Sequence, residues 1–279
     1  MKALAAAAMF LLAPAVARAA TTDAASFYPW LKAYDPAQSV AARIAPPAGF
    51  QRTLTAAGTF PDWLRRLPLK KGTPPVHLYN GKEKGNQDAH GAVVDIDVGD
   101  RDLQQCADAV IRLRAEYLWA IGRRSAVHFD FTSGDRAEYA KWLEGFTPLV
   151  RGSAVRWVRG KPRPDNHETL RAYLDVVFTY AGTRSLEKEM RKADAATDLR
   201  IGDVFIRPGS PGHAAIVVDL AAHPATGRKV FLLAQSYMPA QDIHILKNSA
   251  GDGPWYDVDF GDILRTPEWT FRRTDLRRF

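Results

Sequence analysis

The chain has 279 residues, 46% hydrophobic and 25% charged, which excludes a disordered or collagen-like polymer and suits one large domain or two small ones. Its formal charge is +7, but no aromatic-interleaved basic motif accompanies it, which argues against nucleic acid as a partner. The charge then marks either a solvated basic surface or an anionic partner such as cell wall or a membrane surface, with a local cluster at Arg272, Arg273, Arg277 and Arg278.

At the start, Lys2, the run ALAAAAMFLLAPAVA and the small-x-small triplet Ala17-Arg18-Ala19 have the form of a secretory signal peptide cut near Ala19. The apolar run is interrupted and falls short of the roughly 20 residues that a transmembrane anchor needs. The expectation is a mature protein that is periplasmic or secreted, with no membrane span. The formal charge of that mature chain is lower by the contributions of Lys2 and Arg18.

Residues 20–75 read as an N-terminal extension and linker, and residues 76–279 as a single α+β domain. Within the extension, a helix is expected around residues 27–34, and FPDWLRRLPL (60–69) reads as a short helix closed by Pro68 before the linker-like KKGTPP. VHLY (76–79) and AHGAVVDIDV (89–98) then read as a hairpin around NGKEKGNQ. The strongest helical signal follows. Leu103, Cys106, Ala107, Val110, Leu113 and Tyr117 repeat at helical spacing, with Asp100 or Asp102 as the cap.

AVHFDFT (126–132) predicts a strand, Tyr139, Trp142 and Leu143 a helix, and ETLRAYLDVVFTYAG a longer helix broken at Gly182 before SLEKEMRKA. Three strands close the series: VFIR (204–207), HAAIVVDL (213–220) and KVFLLAQSY (229–237), the last two joined through AAHPATGR. Helices first and antiparallel strands after them predict an α+β fold rather than an alternating parallel one.

Cys106 is the only cysteine. An exported protein usually spends cysteines in pairs, so a lone one is either a packed apolar residue or a thiol kept for its reactivity. A helix N-terminus and a nearby imidazole lower a thiol from about 8.5 into the range of about 3.5–7.5. A cysteine hydrolase therefore needs a cysteine early in a helix, a histidine opposite it, and a polar group that orients the ring. Cys106, His213 at the mouth of its strand, and Gln235 on the next strand supply the three parts; Ser236 and Asp242 are alternatives to Gln235. Gln104 or Gln105 could join the Cys106 amide as oxyanion donors. Tyr237, Trp255 and Tyr256 either line a cleft or pack in the core.

GDVFIRPGSPGHAAIVVDL (202–220) resembles the strand-loop-strand of NlpC-like and CHAP-type cysteine amidases. That resemblance implies a papain-like core, with an antiparallel sheet packed against helices, and an amide of a peptide or cell-wall-like substrate. It carries over to His213, to Cys106 as the single cysteine, and to Gln235. QQCADAVIRLRAEYLW, FTYAGTRSLEKEM and LAQSYMPAQDIHILKN, together spanning most of residues 48–256, resemble more closely an uncharacterised family of exported bacterial proteins, domain of unknown function 4846. Two departures from the amidase pattern follow. The long gap from Cys106 to His213 requires an insertion holding the 126–132 strand and two helices to loop out. A cap at Asp100 or Asp102 puts Cys106 beyond the helix start.

No cofactor is expected. His128 with Asp130, and Asp95 with Asp97, lack H-E-x-x-H or similar spacing and read as structural rather than metal ligands. The serine of PGSPG is not in a G-x-S-x-G elbow, which argues against a serine hydrolase.

Overall fold

The computed structural model describes residues 27–194, 198–251 and 253–279, so the signal-peptide reading lies outside the described residues. The chain is mixed α and β, with antiparallel strand pairing throughout. In order come α1 (Val40–Arg43), β1 (Gln51–Arg52), α2 (Phe60–Arg65), β2 (His90–Val93), α3 (Cys106–Ala120), β3 (His128–Asp130) and β4 (Arg136–Glu138). Next are α4 (Tyr139–Leu143), β5 (Phe146–Arg151), β6 (Ala154–Arg159), α5 (His167–Tyr180), α6 (Thr183–Glu189) and β7 (Arg191–Lys192). The last stretch holds β8 (Val204–Arg207), β9 (His213–Ala222), β10 (Lys229–Gln235), β11 (His244–Leu246) and β12 (Tyr256–Asp257), then β13 (Ile263–Arg265), β14 (Thr270–Arg272) and β15 (Leu276–Arg278).

The main sheet runs β2-β11-β10-β9-β8-β15-β7, with β1 added beside β9 and β12 beside β10. Its middle is the reason for its stability. HAAIVVDLAA is buried at every position but the last, the apolar run expected of a strand covered on both faces. Helix α3 packs across β9 and β10, so the first residue of the helix comes close to the mouth of β9.

Residues 27–75 are part of this body rather than an extension or linker. Tyr28, Val40, Phe60, Trp63, Leu64 and Leu67 join the same core as Ile216 and Phe231, and β1 pairs with the end of β9. Buried Asp219 draws this segment in, accepting from Arg52 Nε at 2.6 Å and Arg65 Nε at 2.7 Å. The helix expected at 27–34 is absent; Pro29 breaks the ladder, and Tyr28 stacks on Tyr34 and lies tilted against Trp63 instead. The stretches 76–79 and 89–98 do not pair as the expected hairpin. Residues 76–84 close on themselves through a His77–Glu83 bridge, and β2 pairs with β11.

The expected insertion is larger than a strand and two helices. It comprises β3 to β6 and α4 to α6, and Val127, Phe129, Tyr173 and Leu174 fasten it to the core. Of the four C-terminal arginines two are internal: Arg277 pairs with Glu187, and Arg278 with Asp203 and Asp198. Asp203, the acid of the Gly-Asp turn, thereby clamps the chain's last strand beside β8. Among the described residues, no helix is long and apolar enough to cross a membrane.

Candidate active site

The nucleophile candidate stands at the start of its helix, not beyond it. Gln105 is the N-cap and Cys106 the first helical residue; Gln105 N–H donates to Asp108 Oδ2 at 3.1 Å. Asp102 is used elsewhere: its Oδ1 accepts from Ala240 N–H at 2.7 Å and from Gln105 Nε2 at 3.0 Å, which fastens the loop before the helix to the loop after β10. The N–H groups of Cys106 and Ala107 therefore lack intrahelical acceptors.

The loop before His213 presses against this helix start. Cys106 Sγ lies 3.9 Å from the carbonyl oxygen of Gly212. Gly212 tolerates no side chain, because a Cβ there would meet Gly209 N at 2.8 Å, Arg207 O at 2.9 Å and the hydroxyl of Thr183. That close approach explains the Gly/Pro-rich sequence before the histidine. The thiol is bracketed by the residues on either side of His213, with the Ala214 amide also within reach of the sulfur.

His213 is 1% exposed, and its Nε2 stands 2.7 Å from Gln235 Oε1, across the β9–β10 pair. Its ring lies against Tyr237 at 4.7 Å between centroids, Trp269 at 5.2 Å and Phe271 at 5.7 Å. Of the alternatives to Gln235, Asp242 accepts from Lys70 Nζ and His77 N–H, and Ser236 Oγ contacts the Gln104 and Gln241 carbonyls. Neither is bonded to the imidazole.

Burial sets the protonation states. It pushes the Cys106 thiol up to about 11, with the Asp108 carboxylate adding to the shift and the Ala214 and helix-start amides opposing it. It pushes His213 down to about 4, against the Gln235 hydrogen bond and helped by the Lys84 charge. The pair at rest is thus thiol and neutral imidazole, not the low-pKa thiolate expected of an exposed helix-start cysteine. Asp108 is raised to about 8 by burial, and its Oδ1 has no hydrogen-bond partner among the described residues.

A cleft of about 350 Å³ opens over this corner, lined by Gln105, Cys106, Asp108, Phe178, Gly212 and Met238 among others. Gln105 thus faces the cleft, whereas Gln104 is withdrawn from it. The Gln104 side chain is held by Arg112 Nη1 at 3.0 Å, and its amide nitrogen points at the Asp97 carbonyl 3.4 Å away. Its contribution is to the loop and not to an oxyanion. Trp255 and Tyr256 pack in the core.

A family model matches residues 40–278. The chain belongs to that family, described as Domain of unknown function (4846). No curated protein and no solved structure matches it. The matched span starts well before residue 76, in agreement with the packing of α1, β1 and α2 into the body of this DUF4846 domain.

Three polar residues of the DUF4846 domain behind Gln235 are not foreseen by the sequence reading. Gln235 Nε2 lies 2.9 Å from Glu268 Oε2 and 3.4 Å from His244 Nε2, and buried Lys84 donates to the same Glu268 oxygen. Glu268 and Trp269 sit in the turn between β13 and β14, a hairpin folded over the back of the histidine. Lys84 comes from the polar loop NGKEKGNQ, where no periodicity marks one lysine from its neighbour. Only His244, in the DIHIL run, carries a signal: a histidine inside an apolar strand.

Proposed function

We propose that this chain is a cysteine-dependent hydrolase of amide bonds, papain-like in its core, acting outside the cytoplasm on a peptide or cell-wall-like substrate. The observation that carries the reading is the hydrogen bond from His213 to Gln235 on the strand beside it, with the Cys106 thiol against the backbone on both sides of that same histidine. Because Gln235 occupies Nε2, the remaining ring nitrogen, Nδ1, is the one left to exchange a proton with sulfur.

In this reading, Cys106 Sγ attacks the scissile carbonyl carbon while its proton passes to His213 Nδ1. The C–N bond then breaks, His213 returns the proton to the leaving amine, and water cleaves the thioester. The oxyanion is met by the Cys106 N–H and the Gln105 side chain in the cleft. The substrate sits in the cleft between α3, the start of α6 and the 209–212 loop.

The test is turnover of a panel of peptide and cell-wall-derived amides. Cys106→Ala is expected to abolish turnover with the melting temperature almost unchanged; retained turnover ends the proposal. A second reading, a non-catalytic envelope module that binds peptide or glycan, is favoured by one observation: Cys106 is only 8% exposed, with its thiol pushed up to about 11. Iodoacetamide separates the two. A His213-assisted thiol is alkylated at neutral pH at least about tenfold faster than in His213→Gln, the weight of one proton-transfer partner; a packed thiol reacts alike in both.

A further inference from the structure

An amide side chain has two faces, and which one Gln235 turns to His213 decides which ring nitrogen is bare. Its carbonyl oxygen makes Nε2 a donor and leaves Nδ1 with a free lone pair. Its NH₂ would make Nε2 an acceptor and put the proton on Nδ1, where it would block transfer from sulfur. The choice is made on the far side of Gln235.

His244 Nδ1 stands 2.9 Å from the Asp242 carbonyl oxygen, which can only accept, so Nδ1 carries the hydrogen and His244 Nε2 is a bare lone pair. That lone pair faces Gln235 Nε2 at 3.4 Å, and the carboxylate oxygen of Glu268 faces the same nitrogen at 2.9 Å. Both hydrogens of the amide therefore meet acceptors, and its oxygen is left to His213. Turned over, the amide would press Oε1 against a carboxylate and an imidazole lone pair and forfeit both donor bonds in a closed interior. Glu268 and Lys84 are themselves nearly closed off, with side chains 12% and 6% exposed. A buried ion pair contributes little to stability, and its best-attested use is to specify one arrangement over another.

We propose that Glu268, with Lys84 as its counter-ion and His244 as a second acceptor, fixes the Gln235 amide and through it the tautomer of His213 that leaves Nδ1 bare. The three are positioning residues: none touches the thiol. The inference deepens the hydrolase reading and rests on it for its purpose, but the tautomer exists whether or not the protein turns over a substrate.

The experiment is long-range ¹H–¹⁵N correlation on histidine-labelled full-length protein, with His213 assigned by its loss in His213→Gln. Wild-type His213 is expected to be a single form protonated at Nε2. Lys84→Met with Glu268→Leu removes acceptor and counter-ion together and is expected to lower the Nε2–H to Nδ1–H ratio about tenfold, the weight of one buried hydrogen bond. Lys84→Met with Glu268→Gln restores an uncharged acceptor and should return the ratio. His244→Leu, which leaves the ion pair in place, should lower it less. Wild-type His213 protonated at Nδ1 overturns the proposal without any variant. So does an unchanged ratio both in His244→Leu and in the folded double variant that combines Lys84→Met with Glu268→Leu. Failure of the hydrolase reading shows elsewhere, as equal alkylation of Cys106 in wild type and His213→Gln.

Discussion

If His213 is held neutral by burial, the protein should lose stability in acid through that one ring. Its pKa falls from 6.5 to about 4 on folding, chiefly by burial. The unfolded chain therefore binds the proton more readily, and the stabilisation is complete above about pH 6.5 and lost as the pH drops towards 4. At about pH 4.5, an unfolded histidine is almost wholly protonated and the folded one mostly not, a difference of about 2–3 kcal/mol.

Other groups titrate in the same window with the opposite sign. Asp108 and Glu189 are raised by burial to about 8 and about 7, so they add stability as the pH falls. The informative quantity is thus a double difference: urea unfolding of wild type and His213→Gln, each at about pH 7 and about pH 4.5. Wild type should lose about 2–3 kcal/mol more than the variant. Equal losses would mean that the ring is accessible to protons in the folded state, and the neutral resting pair would have to be given up.

Arg112, wholly buried, bonds Glu116, Gln104 and Asp97 at once, so Arg112→Ala should cost about 3–5 kcal/mol in chemical denaturation, and Arg112→Met with Glu116→Leu should recover most of it. Gly212→Ala should cost about 1–3 kcal/mol in the same assay and slow Cys106 alkylation, and Thr183→Ala should not rescue it, because the Gly209 and Arg207 backbone contacts remain. Lys84→Met removes a positive charge that holds His213 and His244 down, so the His213 pKa should rise in an NMR titration; a fall would contradict the placement of that charge.

The central frame is legible in the sequence because its signals are strong and local. The apolar run of β9, the helical spacing after Cys106 and the break at Gly182 all become elements close to where the pattern puts them. What is not legible depends on distant partners. Spacing alone misplaces the start of α3 because Asp102 caps nothing and instead fastens the Ala240 amide, a bond across the fold. The segment before residue 76 looks like a linker because Arg52 and Arg65 find their counter-charge on Asp219, far along the chain. Tyr237 stands two residues beyond Gln235, and the structure sets its ring on His213. Glu268 and Lys84 cannot be read at all, since each gains its meaning only from the other and from Gln235.

A thiol pushed up to about 11 and an imidazole pushed down to about 4 look at first like a site built against catalysis. The arrangement argues otherwise once the charges of the transfer itself are followed. Moving the proton from Cys106 to His213 creates a thiolate and an imidazolium in a closed interior, where each would be costly alone. The amides of Cys106, Ala107 and Ala214 pull the thiol down against its burial, and Gln235 Oε1, on an amide held from behind by Glu268, accepts from the ring. These groups all favour the charge-separated state over the neutral one and oppose the burial that keeps the proton on sulfur. This is the condition under which a polar interior favours a transition state over the resting state, because the groups need not reorient when the charge appears. The same burial that keeps the thiol protonated at rest makes those fixed dipoles count for more than they would in water.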